Sequence, residues 1–224
     1  MNKWILGARP RTLPAAFAPV VVATALAGED SSLIAALLAL FVSLALQIGV
    51  NYANDYSDGV RGTDNDRVGP IRITASGLAT PQSVKRAAFL SFFLAAVAGL
   101  ALAAMASWWL IAVGAAAILA AWGYTGGKNP YGYLGLGELF VFIFFGVVAT
   151  VGTYFVQTGE ITLDSLLVSI PMGTFSCALL AINNIRDRAL DLPAGKKTLA
   201  VRMGDRNARY FFTTLIALGY LAKI

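Results

Sequence analysis

The chain has 224 residues, of which 58% are hydrophobic and 13% are charged, and its formal net charge is +5. Soluble domains carry about 25% charged residues, so this composition excludes an ordinary soluble domain and indicates an integral membrane protein. One cysteine, Cys177, and the absence of histidine exclude an internal disulfide and a Cys/His zinc site. Any bound metal would therefore be a hard ion held by oxygen atoms.

Seven apolar segments follow one another along the chain, and a membrane-spanning helix needs roughly 20 such residues. The segments are continuously apolar and rich in alanine and leucine, which favours helices over the alternating strands of a membrane barrel. The sequence thus predicts an all-α polytopic transmembrane helical bundle that forms a single domain over residues 1–224. The predicted spans are residues 13–28, 33–53, 84–106, 108–125, 135–157, 163–184 and 208–223.

Basic residues are concentrated at the N-terminus and in alternate loops, above all over residues 55–87 and 185–209, whereas the loops between them carry acids and no base. By the positive-inside rule, the N-terminus and these two loops are cytoplasmic. The net positive charge then reflects orientation in a lipid bilayer and requires no nucleic-acid partner. The last apolar segment stops short at Ile224, so we expect the chain to be truncated at its C-terminus.

The first long loop begins with a polar cluster in which Asn51, Asn54, Asp55 and Asp58 are spaced i, i+3, i+4 and i+7. On a helix this spacing places all four on one face, so we expect them to converge at the end of the second span. Glycines beyond the cluster break the helix, so Asp64 and Asp66 can fold back. The alternative is an acidic cap solvated by lipid headgroups.

The second long loop repeats this pattern, since Asn184, Asp187 and Asp191 are spaced i, i+3 and i+7 at the end of the sixth span. Carboxylates at the end of a membrane helix are costly unless a cation or partner is present, and Mg²⁺ takes oxygen ligands, often with substrate phosphates. Two facing clusters therefore predict a Mg²⁺ and diphosphate site. The alternative is that Arg186 and Arg188 pair with the second cluster's aspartates.

Basic residues near the clusters would stabilise a diphosphate leaving group. The candidates are Arg9, Arg11, Arg72, Lys196 and Lys128. Tyr124, which precedes Lys128 at the end of the fourth span, would orient substrate. Topology and headgroup contact are the alternative for the basic residues, and an interfacial anchor is the alternative for the tyrosine.

A cation-coupled transporter also places acids on membrane helices. Its acids would lie near the bilayer midplane, whereas these clusters lie at one face beside basic loops. A noncatalytic membrane scaffold would leave the converging Asn and Asp side chains unexplained. The pattern therefore favours an enzyme.

Three motifs resemble the signatures of UbiA-type intramembrane prenyltransferases: Asn54-Asp55-x-x-Asp58, Tyr124-x-x-x-Lys128 and Asp187-x-x-x-Asp191. The resemblance extends from Arg9 to Asp205. Its fuller strings, such as the eight residues from Asn51 and those from Gly195 to Arg202, are similar to the branch that prenylates 1,4-dihydroxy-2-naphthoate. Another aromatic acceptor, such as 4-hydroxybenzoate or a homogentisate-like ring, is the alternative within the family.

The resemblance implies a bundle usually of nine helices in the bacterial plasma membrane, the cell inner membrane, of which this chain would hold about seven. It implies transfer of a polyprenyl group from polyprenyl diphosphate with loss of CO₂ and diphosphate, as in menaquinone biosynthesis. Asn54, Asp55, Asp58, Asp187 and Asp191 would bind Mg²⁺ and diphosphate. Basic residues Arg72, Lys128 and Lys196 would contact diphosphate or the acidic acceptor. Where the family's first motif has a further aspartate, this chain has Gly62, and Asp64 is the candidate substitute.

Overall fold

The computed structural model describes residues 2–63 and 69–222, and the described residues are helical with short connecting loops. Short 3₁₀ turns follow or precede several of the helices. The α-helices are α1 (Lys3–Ala8), α2 (Pro14–Ala27), α3 (Leu33–Arg61), α4 (Pro81–Met105), α5 (Leu110–Gly123), α6 (Gly137–Thr158), α7 (Leu163–Asp191) and α8 (Leu199–Leu221).

Each of the seven predicted spans falls on one of the helices α2 to α8, so the all-α prediction is confirmed. By length and composition, α3, α4, α6 and α7 can cross a membrane, and a fifth span results if the bent segment Lys3–Asp30 is counted. Among the described residues α5 is shorter, with 14 residues, and α8 does not join this set. The predicted number of seven spans is therefore not confirmed.

Helices α3 and α7 extend well beyond their predicted spans, to Arg61 and Asp191. Both polar clusters are consequently helical, as their spacing predicted. The chain crosses the bundle in alternating directions, so the ends of α3, α5 and α7 meet the starts of α2, α6 and α8 around one cavity. This arrangement gathers the polar loops at one end of the molecule.

The N-terminal segment bends by 52° between α1 and α2. At the bend Arg9 adopts a left-handed conformation with φ of 52°, which is uncommon for a residue other than glycine. The Asn51 side chain of α3 holds the bend, because its amide donates hydrogen bonds to the Ala8 carbonyl (2.9 Å) and to Thr12 Oγ1 (3.0 Å). The first polar cluster thereby fixes where the basic N-terminal segment lies.

Small residues allow close packing between α6 and α7. A Cβ added at Gly146 would lie 2.6 Å from the Cα of Gly173, so the two backbones are in direct contact at this point. Close approach at small residues is a usual basis for helix association in membranes, where apolar side chains gain little by leaving lipid.

We expect Gly146→Ala to destabilise the protein by about 1–3 kcal/mol, the usual cost of overpacking. The added methyl meets backbone, which no side-chain rotation can relieve. Thermal unfolding in detergent measures the effect. Gly152→Ala is the matched control on the same helix, because a Cβ there meets nothing within 4 Å; equal melting temperatures for the two variants would contradict this account of the packing.

Candidate active site

A cavity of about 990 Å³ runs through the bundle. Along α3 its lining extends from Ala39 to Asp58, a separation of 19 residues that corresponds to about 28 Å at 1.5 Å per residue. Its deep part is apolar, with side chains such as Val42, Leu46 and Val156. Its other end is polar, so one continuous space offers two different environments.

Most of the predicted site residues line the polar end of this cavity. They are Arg9, Arg11, Asn51, Asn54, Asp58, Arg72, Tyr124, Asn184, Asp187, Asp191 and Lys196. Residues from the N-terminal bend, from three helix ends and from two loops are thus brought to one place. The expectation that the two clusters face each other agrees with this geometry.

A buried ion pair joins the two clusters. Lys196 Nζ lies 2.9 Å from Asp58 Oδ2 and 4.0 Å from Asp191 Oδ1. Lys196 is positioned directly after the second cluster, since its backbone N–H donates to the Asp191 carbonyl at 2.9 Å. The lysine therefore bridges α3 and α7 across the polar end of the cavity.

Tyr133 is a site residue that the sequence reasoning missed. Its hydroxyl donates to Asp58 Oδ1 at 2.7 Å, and Lys196 Nζ lies 5.1 Å from its ring centroid. Burial, together with the charge of Asp58, raises the pKa of Tyr133 above its ordinary value, so the hydroxyl stays protonated and remains a donor. The sequence places Tyr133 in a loop at the same end of the spans as the two clusters, and this was the available signal. An aromatic residue that only anchors the protein at the membrane interface would occupy the same position in the sequence.

The first cluster does not converge completely, because Asp55 does not line the cavity. Its side chain is fully buried and accepts hydrogen bonds from the backbone N–H groups of Ile73 (2.9 Å) and Thr74 (2.8 Å). A helix turns about 100° per residue, so Asn54 and Asp55 lie at opposite edges of the polar arc. Asn54 is turned toward the cavity, and Asp55 is turned toward the segment that follows Arg72.

The second cluster contains a pairing that the sequence left as an alternative. The Arg186 guanidinium makes a bidentate contact with Asp187, at 2.7 and 2.8 Å. Arg188 instead lies 3.9 Å from Asp205 of α8. Because Arg186 and Asp187 both line the cavity, their pairing does not remove them from the site.

Among the described residues, one further predicted residue does not line the cavity. Lys128 is exposed in the loop after α5 and does not line the cavity, because Arg61 of α3 donates to the Thr125 and Gly127 carbonyls and fixes the turn that precedes it. Asp64, predicted as a metal ligand, lies outside the described residues, as does Asp66. Their roles remain predictions.

The turn after α5 nevertheless contributes to the site through Thr125, which sequence analysis passed over. Its hydroxyl donates to Asn54 Oδ1 at 2.7 Å, so Asn54 is held in place from the turn. Tyr124, just before it, lines the cavity as predicted. The motif from Tyr124 to Lys128 thus contributes its first residues to the cavity wall, and its last residue faces solvent.

Aromatic rings connect the polar end with the apolar part of the cavity. Tyr131 stacks on Phe140 with ring centroids 4.0 Å apart, and Phe140 stacks on Phe144 at 6.3 Å. Residues Phe142–Val148 form a π-helical stretch, a feature frequent at functional sites. Phe144 and its neighbour Phe145 both line the cavity.

The donor set suits an ion that is bound together with a phosphate. No three carboxylates among the described residues form a metal-binding group of their own. Mg²⁺ usually takes one or two protein carboxylates, with waters and substrate phosphates completing its octahedron. Asp58, Asp191 and the amide oxygens of Asn54 and Asn184 supply such oxygens at the polar end of the cavity.

We expect Asp55→Ala to loosen the segment after Arg72, because it removes the acceptor of two buried N–H groups. Each unsatisfied buried donor costs about 1–3 kcal/mol. Amide hydrogen exchange over residues 70–80 should speed up, and the affinity for diphosphate should fall through displacement of Arg72. Asp58→Asn serves as the control and should leave exchange over residues 70–80 unchanged. Unaltered exchange in Asp55→Ala would contradict the anchoring role.

Comparison with known proteins identifies the family. The family model described as the UbiA prenyltransferase family matches residues 16–224. A Mycobacterium tuberculosis protein named 1,4-dihydroxy-2-naphthoate octaprenyltransferase is 54% identical over 218 residues, which cover 96% of this chain and 75% of that protein. An Escherichia coli protein of the same name is 42% identical over 223 residues, which cover 95% of this chain and 72% of that protein.

The fold agrees with a solved structure. The structure of a UbiA homolog from Archaeoglobus fulgidus bound to GPP and Mg²⁺ matches with a TM-score of 0.72, over 99% of this chain and 76% of that one, at 15% identity. At this identity the match supports the fold alone. The resemblance seen in the three sequence motifs is confirmed: the chain belongs to the UbiA prenyltransferase family.

Proposed function

We propose that the protein transfers a polyprenyl group from polyprenyl diphosphate to 1,4-dihydroxy-2-naphthoate, with release of CO₂ and diphosphate, in menaquinone biosynthesis. The observation that carries the proposal is one continuous cavity, about 28 Å long where α3 lines it, whose polar end with basic side chains passes into an apolar region. Such a space matches a substrate with a charged head and a long hydrocarbon tail. The acceptor is the one in the names of the M. tuberculosis and E. coli relatives.

The diphosphate head would lie between the two clusters. Arg72 and Lys196 are buried cavity-lining cations, and Arg9 lines the same end. Arginine forks and lysine ammonium groups stabilise the charge that grows on a leaving diphosphate. Their burial strengthens this effect, since charges interact more strongly away from water.

Magnesium would be held by Asp58 and Asp191, with Asn54, Asn184 and Asp187 contributing oxygens. When bound, the ion supplies Lewis-acid neutralisation of the phosphate oxygens. A UbiA homolog of the same fold was solved bound to GPP and Mg²⁺, which is consistent with Mg²⁺ as the ion of the proposal. Asp55 takes a different role in the proposal, since its carboxylate holds the segment that carries Arg72.

The reaction then needs little further protein chemistry. The electron pair of the C–O bond leaves with diphosphate, and the allylic cation that remains is attacked by the aromatic ring. The ring carboxylate departs as CO₂ and leaves its bonding pair on the ring, so charge balances without an added base. Phe140 and Phe144 lie along the path between head and tail, where their faces can stabilise the cation and exclude water.

We further propose that the protein lies in the bacterial plasma membrane with its N-terminus and both aspartate loops in the cytoplasm. The described structure gathers these loops at one end of the bundle. Most of the basic residues lie in these same segments, as the positive-inside rule requires of cytoplasmic segments. Both soluble reaction components, the naphthoate and diphosphate, would then enter and leave from the cytoplasm.

The test is Mg²⁺-dependent diphosphate release from a polyprenyl diphosphate by the purified protein. It is run with 1,4-dihydroxy-2-naphthoate, with 4-hydroxybenzoate and without acceptor, and labelled CO₂ is followed with the carboxyl-labelled naphthoate. Diphosphate and CO₂ in equal amounts with the naphthoate are expected. Turnover with 4-hydroxybenzoate alone would assign the protein to a different acceptor, and no turnover with either ring would overturn the proposal.

We expect Asp191→Asn to lower prenyl transfer by at least about 100-fold, the scale on which one electrostatic contact to a transition state acts. Membrane insertion should be unaffected, because the side-chain shape is kept. Rates in detergent and protein content of the membrane fraction measure the two effects. Asp205→Asn, which changes an exposed aspartate outside the cavity, is the control and should retain wild-type rates; equal activity in both variants would remove Asp191 from the site.

A further inference from the structure

Both carboxylate oxygens of Asp58 are already engaged within the protein. Oδ2 accepts from Lys196 Nζ at 2.9 Å, and Oδ1 accepts from the Tyr133 hydroxyl at 2.7 Å. The Asp58 and Lys196 side chains retain only 3% and 8% of their exposure. A metal ion that takes Oδ2 therefore competes with Lys196 for that atom, and one that takes Oδ1 competes with Tyr133.

The backbone holds Lys196 in this place. Its N–H is bonded to the Asp191 carbonyl (2.9 Å), and the next N–H, of Lys197, is bonded to the Tyr133 carbonyl (3.0 Å). Gly195 provides the left-handed turn that precedes it, with φ of 76°. The lysine is thus aimed at Asp58 by the connection between α7 and α8.

The charges of this cluster oppose the binding of either ligand by itself. A divalent cation alone at Asp58 would displace a buried ammonium and leave it without its closest anion, which is costly in a poorly solvated place. A diphosphate alone would lie beside the carboxylates of Asp58 and Asp191. When both arrive, Lys196 can turn to the phosphate while the cation takes the carboxylate.

We propose that Lys196 is an exchangeable counter-ion, which gives up Asp58 only when a divalent cation and a diphosphate bind together. The two ligands then assist each other, and the coupling must be reciprocal. This inference rests on the proposed function in one respect, that metal and diphosphate are the ligands of this site. Tyr133 acts as the positioning residue, since it retains Asp58 while Lys196 moves.

The experiment measures binding of Mn²⁺, as a paramagnetic substitute for Mg²⁺, by electron paramagnetic resonance on the whole purified chain. Titrations are done with and without inorganic diphosphate, for wild type, Lys196→Gln and Lys196→Arg. For the wild type we expect weak Mn²⁺ binding that diphosphate strengthens by about 5- to 150-fold, the usual range of coupling between two sites. Because Mn²⁺ and diphosphate also associate in solution, variants are compared at identical concentrations.

Lys196→Gln removes the competing charge, so without diphosphate it should bind Mn²⁺ about tenfold more tightly than wild type, and its coupling should shrink. Lys196→Arg keeps the charge and should behave as wild type. Lys197→Gln, an exposed neighbour outside the cavity, is the matched control. Mn²⁺ affinity of Lys196→Gln equal to or below wild type would overturn the proposal, as would wild-type Mn²⁺ binding that diphosphate does not strengthen.

The binding result is independent of turnover. Should Mn²⁺ and diphosphate bind with the expected coupling while no acceptor is prenylated, the counter-ion role stands and the proposed acceptor chemistry fails. Should prenyl transfer proceed while Lys196→Gln shows no gain in Mn²⁺ affinity, the proposed acceptor chemistry stands and the counter-ion role fails. If Lys196→Gln unfolds on purification, Lys196→Met, which keeps the side-chain length without the charge, takes its place in the same titration, with the same expected gain in Mn²⁺ affinity.

Discussion

This structure depends on the neutralisation of its buried carboxylates by side chains and backbone groups of the same chain. Asp55 and Asp58 come from one helix and Asp187 and Asp191 from another, at ends where water is scarce, and an unpaired charge there would be very costly. Asp55 is satisfied by two backbone N–H groups, Asp58 by Lys196 and Tyr133, and Asp187 by Arg186. The loops that supply Ile73, Thr74, Tyr133 and Lys196 are consequently held against the ends of α3 and α7.

Sequence patterns predicted the parts of the site that depend on helix periodicity. The spacing of Asn51, Asn54 and Asp58 fixed their common face, and the described α3 and α7 carry both clusters to one cavity. The spacing could not separate Asp55 from its neighbours, because a polar arc of about 100° has an edge that faces another segment. The spacing predicted neither the exposed position of Lys128 nor the contact of Tyr133 with Asp58, because both residues belong to loops, where side-chain direction depends on tertiary contacts such as the one from Arg61.

The connection between head and tail regions was also beyond sequence reasoning. The phenylalanines 140, 142, 144 and 145 of the fifth span are equivalent in the sequence, whereas in the fold Phe140, Phe144 and Phe145 line the cavity and Phe142 does not. The π-helical stretch over Phe142–Val148 shifts the facing of the residues within it. A regular 3.6-residue pattern does not predict such a shift, so the sequence does not indicate which aromatic residues line the apolar part of the cavity.

The two aspartates of the first motif, Asp55 and Asp58, therefore have different roles, although the motif alone does not distinguish them. Asp58 lines the cavity, and its partner Lys196 can exchange, because the end of a lysine side chain can move by rotation about single bonds. Asp55 is bound to backbone N–H groups of Ile73 and Thr74, which cannot leave without unfolding their segment. One carboxylate is thus suited to bind and release a charged ligand, and the other to hold the buried Arg72 segment still while it does so. Loss of activity after substitution of either aspartate has, on this view, two different causes, and stability and metal binding are the quantities that separate them.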